Sequence, residues 1–186
     1  LLSSTHGKER DEGLVHAVLD ARFEQVQALA RAQRWCDVLV LHPTTLACEV
    51  RPGGRWLDLR LGSSTGVPGP GTPLSLELSV EQDAQLLSVR LSAEQGPLGS
   101  HDYDLRLQAV ALSPTQSFVR FVYSYRFGWL ARVAMQAYLQ TKGAGKVGFS
   151  REPPAPGQAP QHVGGMRGVI ERNTMRYFLA MDTVLQ

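Results

Sequence analysis

The chain has 186 residues, 43% of them hydrophobic and 19% charged, a balance that suits one packed domain and excludes a disordered chain. No segment approaches the about 20 consecutive apolar residues of a membrane-spanning helix. Nineteen basic against seventeen acidic side chains give a net charge of +2, and the basic residues are scattered rather than striped, which argues against a nucleic-acid surface.

Leu1 to Glu12 is polar and without periodicity, so residues 1–12 read as a flexible arm or the remnant of a processed segment, ahead of a single domain over residues 13–186. Gly13 to Leu19 has strand character, with Val15, Ala17 and Leu19 on one face. Asp20 offers a helix N-cap, and Phe23, Val26, Leu29 and Ala30 recur at helical spacing. That helix is expected to end near Trp35. Cys36 to Leu41 is a short apolar segment, helix or strand, stopped by His42-Pro43. Cys36 and Cys48 lie twelve positions apart. A disulfide there would close a short loop worth about 2–3 kcal/mol, but two buried thiols suit the spacing equally well. Zinc fits poorly, because there is no CxxC pair and no fourth ligand at a usual distance.

Strands follow. Thr45 to Val50 ends at the turn Pro52-Gly53-Gly54, and Trp56 to Leu61 sets Leu57, Leu59 and Leu61 against Trp56, Asp58 and Arg60. Gly62 to Pro73 is long for a hairpin loop and is a candidate lid. Leu74 to Val80 alternates again, Leu87, Val89, Leu91 and Ala93 form the next apolar face, and Tyr103 to Leu112 and Phe118 to Phe127 complete the run. Short turns between these strands make the sheet antiparallel, with one face toward water and the other needing a cover. Helices supply it. Leu130, Val133, Ala134, Ala137 and Tyr138 mark an amphipathic helix over residues 129–141. A proline-rich excursion, residues 151–161, precedes a long helix over 166–186 with Ile170, Thr174, Tyr177, Met181 and Val184 on one face. The fold class is therefore α+β: a curved antiparallel sheet of about six to seven strands, wrapped on a long C-terminal helix, with an extra helix before it.

This order of elements, with HAVLDARFEQVQALARAQRW (16–35), EQGPLGSHDYDLRLQAV (94–110) and ERNTMRYFLAMDTVL (171–185), resembles the START-like helix-grip superfamily. More narrowly, WCDVLVLHPTTLAC and SYRFGWLARVAMQAYLQTKGAGKVGF are similar to bacterial START-like proteins made with secretion signals. The resemblance implies a Cys36–Cys48 disulfide, a periplasmic or secreted location, and non-enzymatic binding or transport of a hydrophobic or amphipathic, lipid-like small molecule in an internal cavity. It leaves room for transient membrane contact. Alternatives are a cyclase- or hydrolase-type enzyme using the same cavity, with His101, Asp102 or Glu171 as acid–base groups, and a protein-interaction module with a filled core.

The expected lining comes from the inward leucines and valine Leu76, Leu78, Val89 and Leu91. The aromatic stripe Phe121, Tyr123 and Tyr125 joins them, with Tyr177 and Met181 from the terminal helix. Such a stripe is ordinarily core, and in this fold core and lining are one surface. Glu94, His101, Asp102 and Asp104 cluster near Gly96-Pro97, but adjacent strand residues face opposite ways, so His101 and Asp102 share a face only if the strand bulges. Arg172 and Arg176 are like charges at i, i+4. They imply a bridge to Asp102 or Glu94, plain exposure, or an anionic headgroup. No G-x-S-x-G, P-loop, HExxH or G-x-G-x-x-G signature occurs, so no cofactor, metal or catalytic residue is assigned.

Overall fold

The chain forms eight strands, most of them with period-two alternation, and the computed structural model describes every residue of the chain except 9, 63–68, 142, 144, 155, 156 and 158. Leu2–His6 (β1) and Asp11–Leu19 (β2) form an antiparallel hairpin. The segment expected to be a flexible arm is thus largely strand. No hydrophobic pattern announces β1, because backbone pairing to β2 holds it rather than a buried apolar face.

The single helix expected up to Trp35 is two short ones, Phe23–Val26 (α1) and Ala32–Leu39 (α2), separated by a 3-10 turn over Gln27–Ala30 and by Arg31 in an extended conformation. Arg22, not Asp20, holds the N-cap position. The break lets Leu29, Trp35, Val38 and Leu39 all reach the core, and the indole N–H of Trp35 donates to the Leu29 carbonyl at 2.7 Å. Cys36 lies in α2 and is disulfide-bonded to Cys48 in the next strand, with Cα atoms 5.3 Å apart.

Thr45–Val50 (β3), Trp56–Leu61 (β4), Thr72–Gln82 (β5), Leu86–Gln95 (β6), Ser100–Ser113 (β7) and Gln116–Phe127 (β8) follow. All pairings are antiparallel, in the order β1-β2-β8-β7-β6-β5-β4-β3. The core of the loop expected to act as a lid, residues 63–68, lies outside the described residues. Cross-strand neighbours on the inner face form continuous apolar rows, such as Val80, Val89, Leu107 and Phe121. Each fully buried Leu or Phe stabilises the fold by about 1.5–3 kcal/mol relative to exposure.

Trp129–Gln140 (α3) and Gly165–Leu185 (α4) complete the chain. α4 lies against the inner face through Ile170, Thr174 and Met181, all buried. It approaches β2 so closely that a Cβ on Gly13 would overlap the Thr174 side chain, which is why glycine stands there. Glu171 is also fully buried, on the side of α4 facing β1. Its carboxylate accepts hydrogen bonds from the Ser4 hydroxyl at 2.6 Å and from the backbone N–H groups of Phe149 and Ser150 at 2.8 and 2.9 Å. Burial alone would raise its pKa, but these bonds outweigh burial and hold the carboxyl below its usual range. Glu171 therefore clips β1 and the loop after α3 onto α4.

Candidate functional site

Four tyrosines converge between the sheet and α4. Tyr123 and Tyr125 point inward from β8, Tyr103 from β7 and Tyr177 from α4, with ring centroids 5.3 Å apart for Tyr123 and Tyr125, 5.6 Å for Tyr103 and Tyr125, and 5.2 Å for Tyr123 and Tyr177. Phe127 stands edge-on to Tyr125 at 5.0 Å and Phe121 edge-on to Tyr177 at 6.3 Å. On the far side His42 stacks on Tyr177 at 4.7 Å. Alternation along β8 accounts for the placement, since Phe121, Tyr123 and Tyr125 are two residues apart and share a face.

Burial raises the pKa of all four phenols, with the other tyrosines adding to the effect at Tyr123. They are neutral hydroxyls at any physiological pH. Tyr103 shares a 2.9 Å hydrogen bond with Ser100. Among the described residues, no hydrogen bond contributes to the shifts at Tyr123, Tyr125 or Tyr177. At the β1 end of the cluster, Asp11 is the cross-strand neighbour of Tyr125 and its carboxylate is buried beside the His6 ring, 2.5 Å from Nδ1. Such an arrangement offers aromatic faces and phenol hydroxyls to a molecule that is apolar along its length and polar at one point.

No family model and no curated protein matches the chain. Solved structures do. The chain is similar to a conserved protein from Geobacillus kaustophilus at 13% identity and a TM-score of 0.54, covering 94% of both chains. It is also similar to a norcoclaurine synthase point mutant from Thalictrum flavum, solved with a transition-state analogue, at 17% identity and a TM-score of 0.49, over 77% of this chain and 89% of that one. A START superfamily protein from Mycobacterium smegmatis aligns at 12% identity and a TM-score of 0.44, over 73% of this chain and 93% of that one. The chain has a helix-grip fold, a curved antiparallel sheet held against a long C-terminal helix, shared with the Geobacillus protein.

Within this helix grip, all nine residues expected as lining belong to, or pack against, one hydrophobic cluster. Leu76, Val89, Leu91, Phe121, Tyr123, Tyr125 and Met181 are buried, and Leu78 and Tyr177 are half-buried against them. Two surface depressions lie outside these nine residues, the second of them reaching Tyr103. One, of about 360 Å³, sits where Phe178, Asp182 and Leu185 of α4 meet Leu19 and Ala21. The other, of about 650 Å³, is an open groove at the β6–β7 end, lined by Trp56, Arg90, Glu94, Asp102, Asp104 and Arg126 among others.

Of the charged candidates, Glu94, Asp102 and Asp104 line that second groove, with His101 beside Asp102. β7 does bulge between His101 and Asp104, with Asp102 in the left-handed region at φ 52°. The bulge brings His101 Nδ1 to 3.1 Å from Asp102, and Arg126 to 3.6 Å on the other side. Both His101 and Asp102 are substantially exposed. Asp104 is buried under Arg90 and Arg106, with Arg10 at 3.4 Å. Burial works to raise its pKa, and the hydrogen bonds from Arg106 and Arg90 reverse that, holding it below the usual carboxylate range. The expected bridge from Arg172 or Arg176 to Asp102 or Glu94 is absent among the described residues. Arg172 instead reaches the Val147 carbonyl at 3.5 Å, Arg176 reaches Asn173 at 3.3 Å, and Asp102 is taken by Arg126.

Sequence reasoning passed over Tyr103, His42 and Asp11. Tyr103 follows a bulge that resets the alternation of β7, His42 sits in a loop, and Asp11 reads as part of a polar arm. None carries a local signal.

Proposed function

We propose that this protein is a non-enzymatic carrier that binds an apolar or amphipathic, lipid-like small molecule between the sheet and α4. The observation that supports it best is the tyrosine cluster. It sets four phenol rings on the surface shared by the sheet and α4, and phenols offer an amphipathic guest both an apolar face and a polar tip. The START-like fold supports the same reading, because the inner face of the sheet and the underside of α4 are the surfaces it brings together. The groups named for an enzyme do not assemble: His101 and Asp102 lie exposed at the open groove, while Glu171 is committed to β1 and the loop after α3.

The lining proposed for the site is Leu76, Leu78, Val89, Leu91, Phe121, Tyr123, Tyr125, Tyr177 and Met181. Binding of N-phenyl-1-naphthylamine, an apolar fluorophore, tests it. The parent should bind the probe, and Leu78→Trp and Tyr177→Trp should each weaken uptake by about tenfold or more while costing little stability, since Trp fills space that a ligand would occupy. A parent that takes up no probe, together with variants each destabilised by about 1–3 kcal/mol as in an overpacked core, would show that the interior is solid. The disulfide supports a periplasmic or secreted location, where such bonds persist. Among the described residues, no helix is long and apolar enough to cross a membrane.

A further inference from the structure

The apolar face of α3 is turned away from the sheet that its spacing suits it to cover. Leu139 is buried, and Arg132, seven positions earlier and so on the same side of the helix, donates to the Gly7 carbonyl. Val133, Ala137 and Tyr138, three of the residues whose periodicity marked the helix in the sequence, are exposed instead. Trp129, one turn before Val133, is 74% exposed and Val133 57%, whereas Trp35 is buried. The loop after α3 continues the pattern. Lys146 Nζ lies 5.0 Å from the centre of the Tyr138 ring, and Val147 and Phe149 just beyond it are exposed. An amphipathic helix ordinarily buries its apolar stripe, and a run of exposed aromatic and aliphatic side chains marks a contact surface.

The charge of this segment says what covers it. From Gly128 to Arg151 the chain carries Arg132, Lys142, Lys146 and Arg151 and no acidic residue, a segment charge of +4 in a chain whose total is +2, which leaves −2 for the rest. Asp104 is the last acidic residue before the segment and Glu152 the first after it, and Glu152 is paired with Arg167 at 3.3 Å. A second copy of the chain, meeting this face about a two-fold axis, would set these charges against the same charges. A bilayer with anionic lipids suits both features. Its interfacial layer accepts tryptophan, tyrosine and aliphatic side chains, and its phosphate groups attract the basic ones.

We propose that α3 and the loop running to Arg151 form the face by which this protein docks on a bilayer surface rich in anionic phospholipid. Trp129 and Val133 enter the interfacial layer, while Lys146 and Arg151 meet the phosphates. Docking does not depend on the interior binding reading, because a protein with a solid core would dock in the same way.

Co-sedimentation of the full chain with two kinds of vesicle tests the proposal, one of phosphatidylcholine alone and one of phosphatidylcholine and phosphatidylglycerol in equal parts. The parent should partition onto the mixed vesicles more strongly by about tenfold or more. Raising the salt from about 0.1 M to about 1 M should remove most of that difference, since the screening length falls from about 10 Å to about 3 Å. Trp129→Ser combined with Val133→Ser should weaken partitioning by about tenfold or more. Both side chains are exposed, so the melting temperature should stay unchanged. Lys146→Gln combined with Arg151→Gln keeps the apolar face and should weaken binding to the mixed vesicles alone, by about fivefold for each charge removed. A parent that sediments with neither vesicle, or equally with both, overturns the proposal. So does a serine double variant that partitions like the parent. A dimer in sedimentation velocity that the serine substitutions dissociate overturns it too, because a second copy would then be the occupant. Uptake of N-phenyl-1-naphthylamine without vesicles reads the interior separately from all of these outcomes.

Discussion

The imidazole of His42 lies face to face with Tyr177, with Nδ1 2.9 Å from the Thr44 hydroxyl and Nε2 buried without a hydrogen-bond partner among the described residues. Burial above all, with the Arg176 charge adding to it and nearby Asn173 partly opposing both, lowers its pKa from 6.5 to about 4. The folded state therefore holds this proton more weakly than the unfolded chain. The stability tied to a neutral His42 is complete above pH 6.5 and is lost as pH falls toward 4, by an amount on the order of 3 kcal/mol. Urea unfolding of the parent should show that decline, and His42→Phe, which keeps a ring on Tyr177, should flatten it. Identical pH profiles for both proteins would mean that the ring is charged or exposed in solution. Glu171 and Asp104 teach the opposite lesson at the same scale. Each is a buried acid held ionised, one by backbone N–H groups and a serine, the other by arginines. Neither fate is written in the residue type.

Among the elements, the joint between α2 and β3 is the one most dependent on a single covalent contact. Cys36 and Cys48 close a short loop that runs through the His42-Pro43 stop, and loop closure of that length stabilises the folded state by about 3 kcal/mol in the chain-entropy model. Unreduced protein, denatured and titrated for thiols, should give a value near zero. The double variant Cys36→Ala, Cys48→Ala should lose stability by about that amount, and two titratable thiols in the unreduced parent would contradict the bond. The break at Arg31 belongs to the same joint. A continuous helix from Asp20 to Trp35 satisfies the local periodicity, but bending at Arg31 buries Trp35 and Leu39 together with Leu29. Burying those side chains outweighs the one or two helical hydrogen bonds given up.

At the level of the whole molecule, the sheet joins strands from far apart in the chain. β2, from the start of the chain, pairs with β8, so that β1 and β3 become the two edges of an eight-stranded sheet. Backbone amides in the middle of β2, β7 and β8 have strands on both sides and α4 or its neighbours beneath them. They should exchange with deuterium most slowly, through global unfolding alone, whereas β1 and β3 should exchange through local opening. Protection of β1 equal to that of β8 would require a further partner on that edge. Glu171 gives a second reason to watch β1, because its bond to Ser4 makes the hairpin a part of the α4 contact.

Period-two and helical alternation by themselves determined six of the strands from Thr45 to Phe127, the inward set Leu57, Leu59, Leu76, Leu87, Val89 and Leu91, and the two long helices at the C-terminal end. Alternation is legible because burying one face of a strand or helix requires it, whatever the partner is. The helix-grip order of elements was legible for the same reason. Resemblance, not spacing, pointed to the Cys36–Cys48 bond. Only the tertiary structure decided that Leu2–His6 is a strand, that His101 and Asp102 stand exposed at the open groove, and that Glu171 is a clip. It also decided that Asp11 and Tyr103 meet the tyrosines of β8. Each of these depends on pairing between residues far apart in the chain, or on a bulge that shifts alternation by a residue. No local pattern carries either signal.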